Sequence, residues 1–127
     1  GLCVPILGGA PGIYSARYAG EHGDDAANNL KLLQDVQPLR QAGQAIDALF
    51  VCVLALVQHA DDPLPQIFQG TWSGELLDAP RGEHGFGYDP LFWLPNLGLS
   101  SAELSKTEKN KISHRGQAMQ HFKQSIA

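Results

Sequence analysis

The sequence predicts one soluble α/β domain in which helices pack against a β-sheet. Two neighbouring apolar segments predict the sheet, and helical periodicity near the C-terminus predicts a helix that covers it. The chain has 127 residues, of which 43% are hydrophobic and 17% are charged, a composition typical of a single domain with its own core. Because the apolar content is ordinary and the net charge is only −4, the composition excludes a disordered chain.

The most clearly predicted element is a β-hairpin over residues 46–77. Its first half, residues 46–57, is an almost unbroken apolar run rich in β-branched side chains, which predicts a central strand buried on both faces. In the second half, Phe68 and Trp72 share one face while polar side chains alternate with them, which is typical of a strand with one buried face. An Asp-Asp-Pro sequence between the two halves predicts the turn.

Caps, turns and periodicity predict the remaining elements. In the predicted first helix, Leu30 and Leu33 lie on one side, and in the last helix a stripe of Met119, Phe122 and Ile126 is expected to pack on the sheet. The predicted elements are a strand at residues 2–7, a glycine-rich loop at 8–12, a helix from Asp24 or Asp25 to about Asp35, a polar connector at 38–44, a glycine-rich loop at 81–90, a strand at 91–94 and helical structure over 103–127.

The charges of the chain are divided unequally between its two ends. Residues 1–105 carry four basic and twelve acidic side chains, whereas residues 106–127 carry five basic side chains and one acidic one. A basic segment on an acidic chain predicts a local anion site, and the acidic balance of the whole argues against a nucleic-acid partner. The alternative is that the last helix simply exposes a solvated basic face.

The sequence also indicates the cellular compartment of the protein. The longest apolar run, residues 48–57, has ten residues, whereas a membrane span needs roughly 20, so no membrane partner is expected. No basic stretch precedes an apolar one at the N-terminus, and Cys3 and Cys52 alone form neither a zinc site nor a disulfide framework. These features predict a cytoplasmic protein. Because the sequence opens with Gly1 and not with methionine, we expect a cleaved or truncated product.

The first segment that could carry chemistry is the loop Gly85–Pro90, which contains Phe86, Gly87, Tyr88 and Asp89. Its glycines let the backbone approach a ligand closely. An aromatic face can stack on a base, and a carboxylate can accept a hydrogen bond from a base or a ribose hydroxyl. The alternative is a strained turn whose rings belong to the core.

The second segment is Glu108–Gly116. Ser113 is interpreted as a helix N-cap, so that His114 and Arg115 fall in a first helical turn. Free backbone N–H groups beside a bidentate arginine can bind an anion or a carbonyl. Lys109 shares a helix face with an isoleucine and is expected to point inward, whereas each of these side chains could otherwise be a surface charge or a capping residue.

The third segment is Gly8–Tyr18, a tight loop followed by Ser-Ala-Arg-Tyr. It could line a cleft, or it could be a structural turn in which Arg17 pairs with an acid, and the sequence leaves both interpretations open.

Taken together and in order, these segments resemble the inosine triphosphate pyrophosphatase family. The similarity extends over nearly all 127 residues and rests on GGAPGIYSARYAGE, FxCVLAL, FxGxWxGxL, GFGYDPLFWLP and AELSxxEKNKISHRG. It implies hydrolysis of ITP, dITP or XTP to the nucleoside monophosphate and pyrophosphate. It also implies a mixed α/β fold with a long curved sheet, two lobes around a cleft and a homodimer.

By this resemblance, the substrate-binding residues of this chain are Phe86, Gly87, Tyr88, Asp89, Lys109, His114 and Arg115, with His114 and Arg115 reading the base. The family's phosphate loop, its Mg²⁺-binding acids and its catalytic aspartate precede the Gly-Leu with which this sequence begins, so the general base is expected upstream of Gly1. We therefore expect residues 1–127 to form a single partial domain with no catalytic base or metal ligand of its own. Thr107 and Ile46 depart from the family pattern, which has Glu and often Arg at these two positions.

Two hypotheses follow. The chain is the base-recognising portion of such a pyrophosphatase, inactive alone, or it is a non-catalytic nucleotide-binding or self-associating module. A general phosphate-binding protein is a weaker third hypothesis, which equal affinity for ITP and pyrophosphate would favour.

Overall fold

The structure is a computed structural model that describes residues 1–40 and 44–126. Within these residues, five strands form one antiparallel sheet in sequence order, with three α-helices beside it, which confirms the mixed α/β class. The strands and helices, in chain order, are β1 (Leu2–Cys3), α1 (Asp25–Val36), β2 (Asp47–Leu56), β3 (Gln66–Leu76), β4 (Phe92–Leu94), β5 (Leu99–Ser100), α2 (Lys106–Ile112) and α3 (His114–Ile126). No helix among the described residues is long and apolar enough to cross a membrane.

The predicted hairpin is confirmed. Strands β2 and β3 pair antiparallel along their whole length, with Phe50 opposite Trp72. In the turn, the Asp62 carboxylate accepts hydrogen bonds from the backbone N–H groups of Gln58 (3.1 Å) and Leu64 (2.9 Å). This side chain therefore closes the connection that its sequence predicts.

The prediction that β2 is buried on both faces is wrong. Val53 and Val57 are 55% and 50% exposed, and burial alternates along the strand. The reason is that helix α3 covers only the face of the hairpin that carries Phe68 and Trp72. Nothing in residues 1–40 and 44–126 covers the distal part of the opposite face.

The first predicted strand is shorter than expected. Residues 2–7 are predicted as one strand, but only Leu2–Cys3 pairs with β2, and Pro5–Leu7 forms a 3₁₀ turn. Proline fixes its own φ near the helical value and lacks the N–H that a strand would use, so Pro5 ends the extended segment. Gly8, with φ of 69°, then terminates the turn in the left-handed conformation.

Helix α1 begins where its cap predicts. The Asp24 carboxylate accepts a hydrogen bond from Ala27 N at 3.1 Å, and the helix ends one residue beyond the expected Asp35. Its buried side chains are those of Asn28, Leu32 and Val36, whereas Leu30 is 57% exposed. Leu30 is therefore not on the buried face. Of the predicted connector at 38–44, residues 41–43 lie outside the described part.

Helix α3 rests on the sheet through backbone contact. A Cβ on Gly70 would lie 1.9 Å from the carbonyl oxygen of His114 and 2.8 Å from Ala118 N. The stripe predicted to pack on the sheet is therefore only partly correct: Phe122 meets Phe68 edge-on at 5.6 Å, but Met119 and Ile126 are 38% and 64% exposed. The fully buried Ala118 makes the close contact instead.

The helical region near the C-terminus is divided at Ser113. This residue is extended (φ −67°, ψ 161°), and its Oγ accepts a hydrogen bond from Gly116 N at 3.1 Å, as the N-cap prediction required. The predicted helical range also begins late, because Ser101–Glu103 is a 3₁₀ turn and α2 starts at Lys106. Helices α2 and α3 thus form an elbow that places the first turn of α3 beside the core.

Candidate functional site

The loop before β4 presents an exposed ring on a constrained backbone. Phe86 is 71% exposed and lies between two glycines with φ of 79° at Gly85 and 59° at Gly87. A Cβ on Gly85 would lie 2.2 Å from the carboxylate oxygen Oδ2 of Asp89, so this position accepts only glycine without a rearrangement.

Asp89 is buried and its carboxylate is already engaged. It is 3% exposed; Oδ2 accepts a hydrogen bond from Phe86 N at 3.0 Å, and Oδ1 accepts one from Ser101 Oγ at 2.8 Å. The ammonium of Lys109 forms an ion pair with Oδ2. The carboxylate therefore shapes the loop and holds the lysine, which the sequence alone did not show.

Lys109 points inward, as its position on the helix predicts. Its side chain is 16% exposed and its ammonium lies 4.6 Å from the centre of the Phe86 ring, in cation–π geometry. Lys111, two residues further on, is exposed. A single buried acid thus orients a positive charge directly under the exposed ring.

Tyr88 anchors the same loop from below. It is 5% exposed, and its hydroxyl donates a hydrogen bond to the Ser15 carbonyl at 2.7 Å. Burial raises the pKa of this phenol, and the neighbouring Tyr18 and Asp25 raise it further. The neutral hydroxyl is therefore a permanent donor that ties the loop to the segment after the first glycine-rich turn.

His114 stands on the first turn of α3 with its ring packed against the core. Its imidazole stacks on Phe50 with 4.8 Å between ring centres and 11° between planes, and Trp72 lies beyond at 6.4 Å. Nδ1 is buried without a hydrogen-bond partner among the described residues. Burial is the largest cause that lowers the pKa of His114 from 6.5 to about 4, and the Lys109 ammonium acts in the same direction. The imidazole is neutral at pH 7 and offers one donor and one acceptor.

Arg115 follows on the exposed side of the same turn. The ion pairs among residues 1–40 and 44–126 are Lys31–Asp35, Arg81–Glu103 and Lys109–Asp89, so its guanidinium has no carboxylate partner there. It borders a cavity that lies between the Phe86 loop and the elbow of α2 and α3. A guanidinium in this position has donors available for a ligand.

Two cavities meet at the Phe86 ring. The larger, of about 640 Å³, lies between the loop and the helical elbow, and the smaller, of about 210 Å³, reaches the first turn of α1. Sites for small molecules usually measure about 300–1,000 Å³. Each of the seven residues predicted to bind substrate borders at least one of the two cavities: Phe86, Gly87, Tyr88, Asp89, Lys109, His114 and Arg115.

Gly1 also borders the smaller cavity, on the side where His114 lies. Its amino group donates a hydrogen bond to the Val51 carbonyl at 2.8 Å, and its own carbonyl accepts one from Val51 N at 2.9 Å, which continues the pairing of β1 with β2. Gly1 was not predicted to be a site residue, and it contributes backbone alone because it has no side chain to act as a base or to bind a metal. The catalytic base expected upstream of Gly1 stays a prediction, because the described residues do not test it.

The third sequence segment contributes to the smaller cavity. Ser15 and Ala16 line it, which favours the cleft interpretation for this part of the loop. Arg17 is exposed, and its guanidinium lies 5.2 Å from the centre of the Tyr14 ring; it belongs to none of the three ion pairs just described. The alternative in which Arg17 pairs with an acid is therefore not found in the part of the chain that the structure describes.

Sequence reasoning missed several residues that build this site. Asp25 and Asn29 contact the backbone of Gly87, Phe50 supports His114, and Ser101 bonds Asp89. The sequence indicates Asp25 only as the start of a helix and Phe50 only as part of an apolar strand. Their partners lie 12 to 64 positions away, so no local pattern could have shown these contacts.

Residues 1–40 and 44–126 contain no group of three or more His, Cys, Asp or Glu side chains that could hold a metal ion. The buried carboxylate of Asp89 accepts its hydrogen bonds from donors of the chain itself.

Comparison with known proteins decides the family. The Ham1 family model matches residues 1–125. The chain belongs to the Ham1 family. A dITP/XTP pyrophosphatase of Acinetobacter baumannii (strain ACICU) is 78% identical over 126 residues, which are 99% of this chain and 61% of that protein. A HAM1 protein from Coxiella burnetii has a similar solved structure, with a TM-score of 0.92, 42% identity and coverage of 99% of this chain and 63% of that chain.

A second Ham1 structure, from Staphylococcus aureus, gives a TM-score of 0.89 at 44% identity, with coverage of 99% of this chain and 62% of that chain. The predicted resemblance is therefore confirmed at the level of family and fold. The chain spans about three fifths of the length of these Ham1 relatives.

Proposed function

We propose that this chain forms the purine-binding part of a pyrophosphatase that hydrolyses ITP, dITP or XTP to the nucleoside monophosphate and pyrophosphate. The observation that carries the proposal is the convergence of Phe86, Lys109, His114 and Arg115 on one cavity of about 640 Å³. The relatives called dITP/XTP pyrophosphatases support it.

The proposed base site distinguishes purines by the group at position 6. Hypoxanthine and xanthine carry an oxygen acceptor there, whereas adenine carries an amino donor. The Arg115 guanidinium offers only donors, so it pairs with the oxo group and leaves an amino group without a partner. The buried Nδ1 of neutral His114 would gain its missing hydrogen bond from the base or from a water that the base holds. Specificity then arises from refusing partners to the wrong base.

Lys109 and Phe86 supply the remaining contacts. The exposed ring can stack on the purine face, and the ammonium beneath it has further N–H donors for a ligand. Because Asp89 holds that ammonium through an ion pair, these donors are already in place before a ligand arrives.

We place Mg²⁺, its ligands and the catalytic base outside the described residues, upstream of Gly1, in a second lobe that faces these cavities across a cleft. Mg²⁺ would offset phosphate charge in the complete protein. The chain by itself is then without catalytic activity, and the alternative is a nucleotide-binding or self-associating module that is not part of an enzyme. A homodimer is part of the same proposal.

Calorimetric titration of the chain with dITP, XTP, ATP and pyrophosphate, with divalent metal chelated, tests the base site. We expect dITP and XTP to bind at least about tenfold more tightly than ATP, and Arg115→Ala to remove roughly 1–3 kcal/mol of dITP binding while changing ATP binding little. Lys111→Ala, at an exposed position on α2, is the matched control for loss of one positive charge.

Equal weakening of dITP and ATP by Arg115→Ala would contradict its base-reading role. Equal affinity for dITP and pyrophosphate would show that the base is not recognised, and the chain would then be a general phosphate-binding protein.

A further inference from the structure

The tip of the Phe86 loop is fixed at every backbone polar group. Phe86 N–H donates to Asp89 Oδ2 (3.0 Å) and the Phe86 carbonyl accepts from Asp89 N (3.2 Å). Gly87 N–H donates to Asp25 Oδ2 (2.9 Å), and the Gly87 carbonyl accepts from Asn29 Nδ2 (2.9 Å). Two of these four hydrogen bonds therefore involve side chains of helix α1, Asn29 and Asp25, which lie 58 and 62 positions before Gly87 in the chain.

This fixed backbone carries an exposed aromatic ring. A ring that is 71% exposed stabilises the fold little, so its rigid support is not explained by core packing. Fixing a binding group in advance reduces the conformational entropy that is lost when a ligand arrives. The Phe86 ring borders both cavities, where a stacked base would lie.

We infer that Asp25 and Asn29 are positioning residues, which hold Gly87 so that the Phe86 ring is presented to the purine base. The inference rests on the proposed function, because it needs Phe86 to stack on the base. It assigns to the first turns of α1 a role in substrate binding beyond starting a helix.

The local contacts of α1 agree with this role. Asp24, not Asp25, caps the helix, through its bond with Ala27 N, so the Asp25 carboxylate is free to bond Gly87. Asn29 Nδ2 also bonds the Asp25 carbonyl (2.8 Å), while Asn29 Oδ1 is buried without a partner among the described residues. Such an orphan acceptor costs free energy. The amide is therefore poorly explained by helix stability alone, and its donor group serves Gly87.

The test is equilibrium binding of dITP to the chain, with divalent metal chelated and the melting temperature of each variant recorded by circular dichroism. We expect Phe86→Ala to raise the dissociation constant at least about tenfold through lost stacking. Asp25→Ala and Asn29→Leu should each raise it about fivefold by loosening the ring. Asp25→Asn keeps an oxygen acceptor for Gly87 N–H and should restore the dissociation constant to within about twofold of the original.

Two further variants separate positioning from stability. Asp24→Ala removes the helix cap and should lower the melting temperature without raising the dissociation constant for dITP. In a chain that already carries Phe86→Ala, Asp25→Ala should cause no further loss, because its effect passes through the ring.

The outcomes distinguish the inference from the proposed function. If Phe86→Ala leaves dITP binding unchanged, the proposed base site fails and the inference falls with it. If Phe86→Ala weakens binding but Asp25→Ala does not, only the inference is overturned. The inference would also be overturned if the loss of dITP affinity caused by Asp25→Ala added fully to the loss caused by Phe86→Ala. Asp25 would then act independently of the ring.

Discussion

The side chain of His114 shows how packing sets both the charge and the orientation of a residue at the candidate site. The Phe50 ring that stacks on the imidazole also removes water from it, and burial is the main reason that the pKa of His114 falls to about 4. The same contact therefore orients the ring and keeps it neutral. A neutral histidine with a buried, unpartnered nitrogen is prepared to bond a neutral base.

The lowered pKa of His114 makes the stability of the chain depend on pH. The unfolded chain takes up the proton near pH 6.5, whereas the folded chain takes it up only near pH 4. Between these values the unfolded state holds more protons, so the free energy of unfolding should decrease as pH falls from 6.5 to 4. The decrease attributable to His114 is at most about 3 kcal/mol, and this side chain causes no further loss below pH 4.

Urea unfolding at a series of pH values measures this effect. His114→Gln should flatten the dependence between pH 6.5 and 4, whereas His22→Gln, at an exposed position, should leave it as in the original chain. The same slope in the original chain and in His114→Gln would show that other groups cause the acid sensitivity and that His114 is not held neutral by burial.

Among the elements, the packing of α3 on β3 determines where His114 and Arg115 lie. The helix approaches so closely at Gly70 that its backbone, not a side chain, touches the strand. His114 and Arg115, which we propose to contact the base, occupy the first turn of that helix. A glycine on one strand thus fixes the position of donors on another element.

Gly70→Ala should therefore destabilise the chain and weaken binding together. The new Cβ would lie 1.9 Å from the His114 carbonyl, so α3 must move away. We expect the free energy of unfolding to fall by about 1–3 kcal/mol, and dITP affinity to fall with it even where the variant is fully folded. Thr71→Ala, at an exposed position on the opposite face of β3, should change stability by less than about 0.5 kcal/mol. A Gly70→Ala chain as stable as the Thr71→Ala control would contradict this account of the packing.

Local patterns predicted the elements that local forces determine. The hairpin follows from alternation in β3 and from the Asp62 turn, and the start of α3 follows from the capping hydroxyl of Ser113. The same patterns failed where burial depends on a distant partner. Val53 looked like a core residue because it stands in an apolar run, but α3 covers only the other face of the sheet.

The candidate site shows the same division. The prediction that Lys109 points inward is confirmed, but its reason is not, because Ile112, which shares its helix face, is 37% exposed and the buried Asp89 holds the lysine instead. The ion pair of Lys109 with Asp89, and the attachment of Gly87 to Asp25, join positions 20 and 62 residues apart. Similarity to the family predicts which residues bind the substrate. Only the fold shows which side chains hold those residues in position.

In the molecule as a whole, several acids are held by local structural partners. Asp61 and Asp62 stand at the hairpin turn, and Asp62 is committed to backbone donors there. Asp24 caps α1 and Asp25 bonds Gly87. Asp89 is enclosed by its own donors. No three of the His, Cys, Asp and Glu side chains in residues 1–40 and 44–126 converge on a metal site.

Cleavage of a phosphoanhydride needs charge to be drawn from the phosphates and a base to take a proton from the attacking water. We therefore predict that residues 1–127 bind dITP but release no pyrophosphate from it at any Mg²⁺ concentration. Joining the chain to the segment of the Acinetobacter baumannii relative that it does not match should give Mg²⁺-dependent release. A phosphate-release assay coupled to inorganic pyrophosphatase measures both, with Asp61→Ala as a control that should alter neither. If the purified 127-residue chain hydrolyses dITP in the presence of Mg²⁺, the prediction is wrong, and a group within these residues must act as the base.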